Sequence, residues 1–244
     1  MSKVDLTGKV AIVTGGSQGI GRAVALAFAA RGAQVMINAR GYAGLRETVA
    51  EIGERGGEAD MYAGDIGDPE AMTGLASFAH ERFGGVDIVV HNGALLGPRA
   101  RLENYPVHDW HEVMAVNVNG VFALTQAAVP LLRARGGGSM IYVGSGVGRH
   151  GKARWGAYSA SKFAVEGIAQ IMAEEGAADG IRANCVNPGG TRTAMRAAAF
   201  PEEDPKKLPA PEAIVPVFLY LAGDESKSVT GQSLDAQDYM GKDY

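Results

Sequence analysis

The sequence predicts an α/β fold, a doubly wound parallel sheet of about seven strands flanked by helices, and three observations predict it. Short apolar runs recur along all 244 residues, most of them too continuously apolar for a sheet wetted on one face. The segments between them are long enough for the crossover helices that parallel strands require. The first run passes through a glycine turn directly into an alanine-rich helical stretch, "RAVALAFAARG". Nothing reads as a linker, so residues 1–244 are expected to form a single domain.

Ligands of open α/β sheets bind at the C-terminal ends of the strands, so the residues after each run are the first candidates for chemistry. The first run, "KVAIVT" from Lys9, leads into "VTGGSQGIG", where Gly15, Gly19 and Gly21 follow a T-G-x-x-x-G-x-G spacing rather than G-x-G-x-x-G. Such a turn lets backbone N–H groups and a helix N-terminus face a pyrophosphate. The second, "AQVMIN" from Ala33, is followed by "NAR", Asn38 to Arg40, with no acid to accept ribose hydroxyls but with a guanidinium able to pair with a 2′-phosphate. After the third, "EADMYA" from Glu58, comes "GDI": Asp65 is placed to accept from an adenine amino group, with Ile66 packed nearby. The fourth, "VDIVVH" from Val86, ends in "HNGA", which sets the small residues around Asn92 and Gly93 beside the same crevice.

The fifth run, "SMIYVG" from Ser139, delivers Ser145 to the cleft, and the helix after it contains "YSASK". Tyr158 and Lys162 are i and i+4, hence on one helical face. A nearby ammonium stabilises phenolate and is expected to lower the tyrosine pKa from its usual value of about 10. That pair makes an acid for a carbonyl oxygen or a base for an alcohol, and the Ser145 hydroxyl can hold the same oxygen. The sixth and seventh runs are "IRANCVN" from Ile181 and "QSLDA" from Gln232. Between them, residues 192–211 hold prolines at 201, 205, 209 and 211 and read as an irregular substrate lid.

Composition closes off several classes of function. A net charge of -4 gives no electrostatic case for nucleic acid. Cys185 is the single cysteine and sits in an apolar run, which leaves no disulfide framework or thiolate cluster and suggests a buried, inert thiol. No signal-peptide core and no apolar stretch of ~20 residues is apparent, so a soluble cytoplasmic protein with no membrane partner is expected. His108 and His111 share a helical face but lack a third ligand, and no metal is expected. Arg133 and Arg135, beside "GGG", read as solvated charges at a helix C-terminus.

Jointly, "TGGSQGIG", "GDI", "HNGA", "VNVNG", "GSGVG", "YSASK" and "NPGGTRT" resemble the short-chain dehydrogenases/reductases of the cytosolic branch over essentially the whole chain. The resemblance implies a Rossmann-type domain, a nicotinamide cofactor with NADP(H) preferred and NAD(H) as the alternative, and a small carbonyl or secondary-alcohol substrate. It implies a catalytic tetrad: Tyr158 as acid/base, Ser145 orienting the substrate oxygen, Lys162 on the nicotinamide ribose, and Asn117 holding a water of the proton relay. Cofactor contacts would come from Gly15, Ser17, Gln18, Gly19, Ile20 and Gly21, from Asn38 and Arg40, and from Asp65 and Ile66. Asn92, Gly93, Pro188, Gly189, Thr191 and Thr193 would complete them, and the family suggests a homotetramer or homodimer built through the helix of Tyr158.

Two stretches depart from the family pattern. "HNGA" puts His91 and Gly93-Ala94 where Asn and Ala-Gly are usual, and "TGQSLDAQDYMGKDY" lacks the customary D-G-G. A 3-oxoacyl-thioester reductase acting on an acyl carrier protein shares the tetrad and stays open, as does a non-catalytic nucleotide-sensing or interaction protein. Arg149, Lys152 and Arg154, with Arg192 and Arg196, suggest a basic rim that would draw in an anionic substrate. Leu95, Leu96, Trp155, Met195 and Phe200 supply the apolar surface of a pocket.

Overall fold

Residues 3–244 are described by a computed structural model, in which all seven expected strands form. They are β1 (Val10–Thr14), β2 (Gln34–Ala39), β3 (Glu58–Ala63), β4 (Ile88–His91), β5 (Gly138–Val143), β6 (Ile181–Asn187) and β7 (Ser233–Asp235). They lie in one sheet in the order β3-β2-β1-β4-β5-β6-β7, every pair parallel. The chain winds outward from β1 to β3 and then returns to place β4 on the other side of β1. A crevice opens at that reversal, beyond the carboxyl ends of β1 and β4.

Both faces of the sheet are covered, which is why the central strands read as unbroken apolar runs. On one face Ala11 and Val13 of β1 pack with Val24 and Phe28 of α1 (Gly19–Ala30), Ile52 of α2 (Tyr42–Glu54) and Phe218. On the other, Ile12 packs with Leu75 of α3 (Pro69–Phe83) and Leu124. β3 is the exception: it lies at the sheet edge and is only partly buried, so Glu58 and Asp60 are tolerated there.

Val107–Ala134 forms one long helix from α4 (Val107–Met114), a π-turn (Ala115–Asn119) and α5 (Gly120–Ala134). By length and composition alone it is apolar enough to cross a bilayer, contrary to the sequence expectation. Half of its apolar window is buried inside the fold, where Leu124, Ala128 and Leu132 belong to the core.

The arginines at the C-terminal end of α5 are not merely solvated. Arg135 donates to both carboxylate oxygens of the buried Asp87 at 3.2 Å, and Asp87 also accepts the Val10 N–H at 3.0 Å. Arg133 chelates Asp179 at 2.9 and 2.7 Å, and its hydrogen bond holds that carboxyl below the usual range. The glycine reversal at 136–138 sends the chain straight back into the sheet and lays both side chains across neighbouring loops. The 192–211 segment is irregular only in part, for it contains α7 (Ala194–Ala199). Thr193 caps that helix by accepting the Arg196 N–H at 3.1 Å, and "AMRAAA" has the propensity to continue it.

Candidate active site

The crevice holds a cavity of about 430 Å3. The glycine turn forms one end. Gly15 has φ +67°, and a Cβ there would lie 2.7 Å from Asn92 Nδ2 and 2.9 Å from the Gly93 Cα, so only glycine fits. Thr14 ties that contact down: its hydroxyl accepts the N–H groups of Asn92 and Gly93, each at 3.0 Å. Ser17, Gln18, Gly19 and Ile20 line the cavity at the start of α1. No side chain caps that helix and no acid occupies its first turn, so its N–H groups are left for an anion.

Gly21 does not reach the cavity. A Cβ on it would overlap the Gly15 carbonyl oxygen, so its task is close packing of helix against turn. Gly21→Ala is expected to cost about 1–3 kcal/mol through overpacking, read as a lower denaturation midpoint in urea. Asn38 is a second correction, for its side chain is buried in the sheet and donates to the carbonyls of Tyr62 (3.0 Å) and Gly64 (3.1 Å). The amide fastens β2 to β3, whereas Arg40, two residues on, is exposed on the cavity wall. Asp65 and Ile66 line the wall, Asp65 also accepting the Gly67 N–H at 2.8 Å, and Asn92 and Gly93 stand opposite.

Ser145, Tyr158 and Lys162 share the other wall. Ser145 follows β5, while Tyr158 and Lys162 rise from the first turns of α6 (Gly156–Glu175). Lys162 is 3% exposed and donates 2.6 Å to the Val143 carbonyl; its ammonium stands 5.7 Å from the Tyr158 ring centre. Burial lowers the Lys162 pKa to about 8, against the influence of Cys185 and Glu166. Burial also pushes Tyr158 up to about 12, with the Ser145 hydroxyl pulling it the other way. The sequence expected Lys162 to lower that value. Desolvation of the phenolate outweighs a cation that is turned toward the Val143 carbonyl.

Asn117 sits in the π-turn, 1% exposed and off the cavity surface. Its Oδ1 accepts the Leu95 N–H at 2.7 Å, and its Nδ2 donates to the Leu95 carbonyl at 2.9 Å and the Ser161 hydroxyl at 3.0 Å. The side chain is therefore a fastener between the strand-end loop and α6, with both of its donors already used. His91 likewise faces away, stacked on Tyr142 at 4.5 Å and 7° with Thr125 Oγ1 3.3 Å from its Nε2.

Pro188, Gly189, Thr191 and Thr193 line the cavity after β6. The atypical C-terminal stretch holds this turn, with Gln237 donating to the Pro188 carbonyl at 2.9 Å and Asp235 accepting from Asn187 at 2.7 Å. Asp235 also takes Arg149 at 2.8 Å, and Glu203 takes Arg196, so two members of the expected basic rim are already paired. Ala39, Gly41, Val116 and Ala199 were missed as lining residues, being too small and apolar to stand out.

The family model described as short chain dehydrogenase matches residues 9–204. The oxidoreductase YciK of Escherichia coli K12, whose activity is uncharacterised, is 44% identical over 95% of this chain and 93% of its own. A 3alpha-hydroxysteroid dehydrogenase of Mediterraneibacter gnavus is 37% identical over 94% and 95%. A solved short chain dehydrogenase of Escherichia coli CFT073, complexed with NADPH, superposes with a TM-score of 0.93 at 43% identity, covering 97% of this chain and 100% of that one. With the glycine turn, the Ser145–Tyr158–Lys162 wall and these likenesses in hand, the chain belongs to the short chain dehydrogenase family and is an NAD(P)-dependent oxidoreductase of it.

Proposed function

We propose that the protein reduces a small carbonyl compound with NADPH, Tyr158 acting as the proton donor. The observation that carries this is the convergence of Ser145, Tyr158 and Lys162 on the same cavity as an uncapped helix N-terminus and Arg40. The cavity suits the cofactor: only a backbone without side chains fits at Gly15, α1 leaves its N–H groups for a pyrophosphate, and Arg40 can grip a 2′-phosphate with parallel hydrogen bonds. Lys162 would meet the nicotinamide ribose. A reduced nicotinamide bound there supplies the hydride to the carbonyl carbon.

This chain's residues supply the rest. Ser145 orients the carbonyl oxygen, and Tyr158 gives it a proton. The phenol, at about 12, is protonated at neutral pH, as the donor of a proton to the carbonyl oxygen must be. Asn117 holds a water of the proton relay, while its side chain fixes Leu95 and α6 in place.

NADPH consumption with a panel of ketones, aldehydes and acyl thioesters tests the reading, and turnover of none of them by protein that binds NADPH would overturn it. Cofactor choice is tested separately. NADPH is expected to bind at least about tenfold more tightly than NADH, and Arg40→Ala to remove most of that difference, since a ribose hydroxyl cannot replace a paired phosphate. Equal dissociation constants in the wild type would refute the role of Arg40. The same reading takes the protein as a homodimer or homotetramer through α5 and α6, whose outer surfaces expose Phe122, Phe163 and Ile171. Light scattering that returned a monomer would remove that part.

A further inference from the structure

One helical turn beyond Lys162, α6 carries a second buried ionic group. Lys162 and Glu166 are i and i+4, 3% and 8% exposed, and both face the end of β5. Lys162 donates to the Val143 carbonyl, while Gly144 next to it has no room for a side chain: a Cβ there would lie 2.6 Å from Cys185 Sγ and 3.0 Å from Glu166 Oε1. Ser145 follows directly, so the carboxylate lies under the turn that anchors the lysine and delivers the serine. Ser233 of β7 donates to Glu166 Oε1 at 2.7 Å. Arg149, at the far end of the same turn, stands 3.5 Å from that oxygen and reaches the half-exposed Asp235 at 2.8 Å. A file of alternating charges thus runs from the cavity wall to the surface: Lys162, Glu166, Arg149, Asp235.

Lys162 needs its charge, and burial works against it. A buried ammonium with no anion near it discharges below neutral pH, and the hydrogen bond of Lys162 goes to an uncharged carbonyl. Among the described residues, the titratable groups that act on it are Tyr158 and Glu166 from α6 and Cys185 from β6. The π-turn, also packed on α6, brings the uncharged Asn117 to Ser161. Burial raises both the phenol and the thiol and keeps them neutral, so Glu166 is the anion that faces the lysine.

Resting on the reading that Lys162 serves the cofactor ribose, we propose that Glu166 is a positioning residue whose carboxylate keeps Lys162 charged at neutral pH and so sets the alkaline edge of activity. It touches neither substrate nor cofactor. Arg149 works against it, since it draws on the same carboxylate.

The test follows kcat/KM for NADPH-dependent reduction against pH, with whichever ketone, aldehyde or acyl thioester of the panel turns over fastest. Glu166→Gln keeps the shape and the acceptor for Ser233 but removes the charge. The alkaline limb should move by about one pH unit toward acid, which lowers activity by about fivefold at pH 8 and by less than about twofold at pH 6. Arg149→Met removes the competing cation and should move the limb the other way; Arg149 is partly exposed, so this variant carries the test if Glu166→Gln does not fold. A limb that stays in place in Glu166→Gln, a loss of equal size at every pH, or a limb that fails to move toward alkali in Arg149→Met overturns the proposal. NADPH affinity, read by cofactor fluorescence over the same range, reports on Lys162 without turnover. An acid-ward shift of affinity in Glu166→Gln with no carbonyl reduced by either form sustains the role of Glu166 and sinks the reductase reading; reduction with one and the same limb in both forms does the reverse.

Discussion

Tyr158→Phe is expected to lower turnover by at least ~100-fold, the usual size of a positioned proton donor's contribution, while NADPH still binds. The variant keeps the ring, so the contact with Trp155 at 5.7 Å survives and only the transferable proton is lost. Single-turnover NADPH oxidation measures the chemical step, and cofactor fluorescence measures binding. Near-normal turnover would remove Tyr158 from the chemistry. The expected pH dependence follows from its neighbours. Tyr158, at about 12, remains an acid throughout the neutral range, but Lys162, at about 8, loses its charge as pH rises through that value. Reduction should therefore weaken on the alkaline side before the phenol ionises. Lys162→Ala should impair cofactor affinity and rate together, since one ammonium serves both; a change in substrate affinity alone would argue against that double role.

Much of this could be read in the sequence because the responsible forces are local or periodic. Strands buried on both faces must be apolar at every position, so β1, β2, β4, β5 and β6 announced themselves. Gly15 was legible because a close backbone approach excludes every Cβ, and Tyr158 with Lys162 because i and i+4 share a helical face. The misreadings share a different cause. Asn38 could bond outward to a ligand or inward to the backbone, and its residue type is the same in both cases. The π-turn that seats Asn117 breaks the helical period, and nothing in "VNVNG" announced it. Within the basic rim, Arg149 is neutralised by Asp235 and Glu166 on distant parts of the chain, a pairing that no local pattern encodes. Arg99 escaped notice altogether, since its partners Trp155 and Phe200 are brought to it only by the closure of α6 and α7 over the loop after β4.

His91, the residue that replaces the family's asparagine at the end of β4, should make the protein acid-labile in a measurable way. It is 3% exposed, stacked flat on Tyr142, and burial lowers its pKa from 6.5 to about 3, so it is neutral in the folded protein. The unfolded chain binds a proton at this position from about pH 6.5 downward, and the folded one does not until about pH 3. Stability is therefore fully present above pH 6.5 and is lost as pH falls between those values, by about 1.4 kcal/mol per pH unit from this group. Carboxylates held below their usual range, such as Asp179, add their own acid sensitivity, so the informative quantity is the difference from a variant that lacks the imidazole. His91→Asn gives up the stacking on Tyr142 and should be less stable than the wild type at pH 7. Between pH 6.5 and 4.5, however, urea denaturation should show the wild type losing about 2 kcal/mol more than the variant. Parallel losses would mean that His91 is protonated inside the folded protein, with Thr125 Oγ1, 3.3 Å from Nε2, accepting its proton in place of the neutral arrangement.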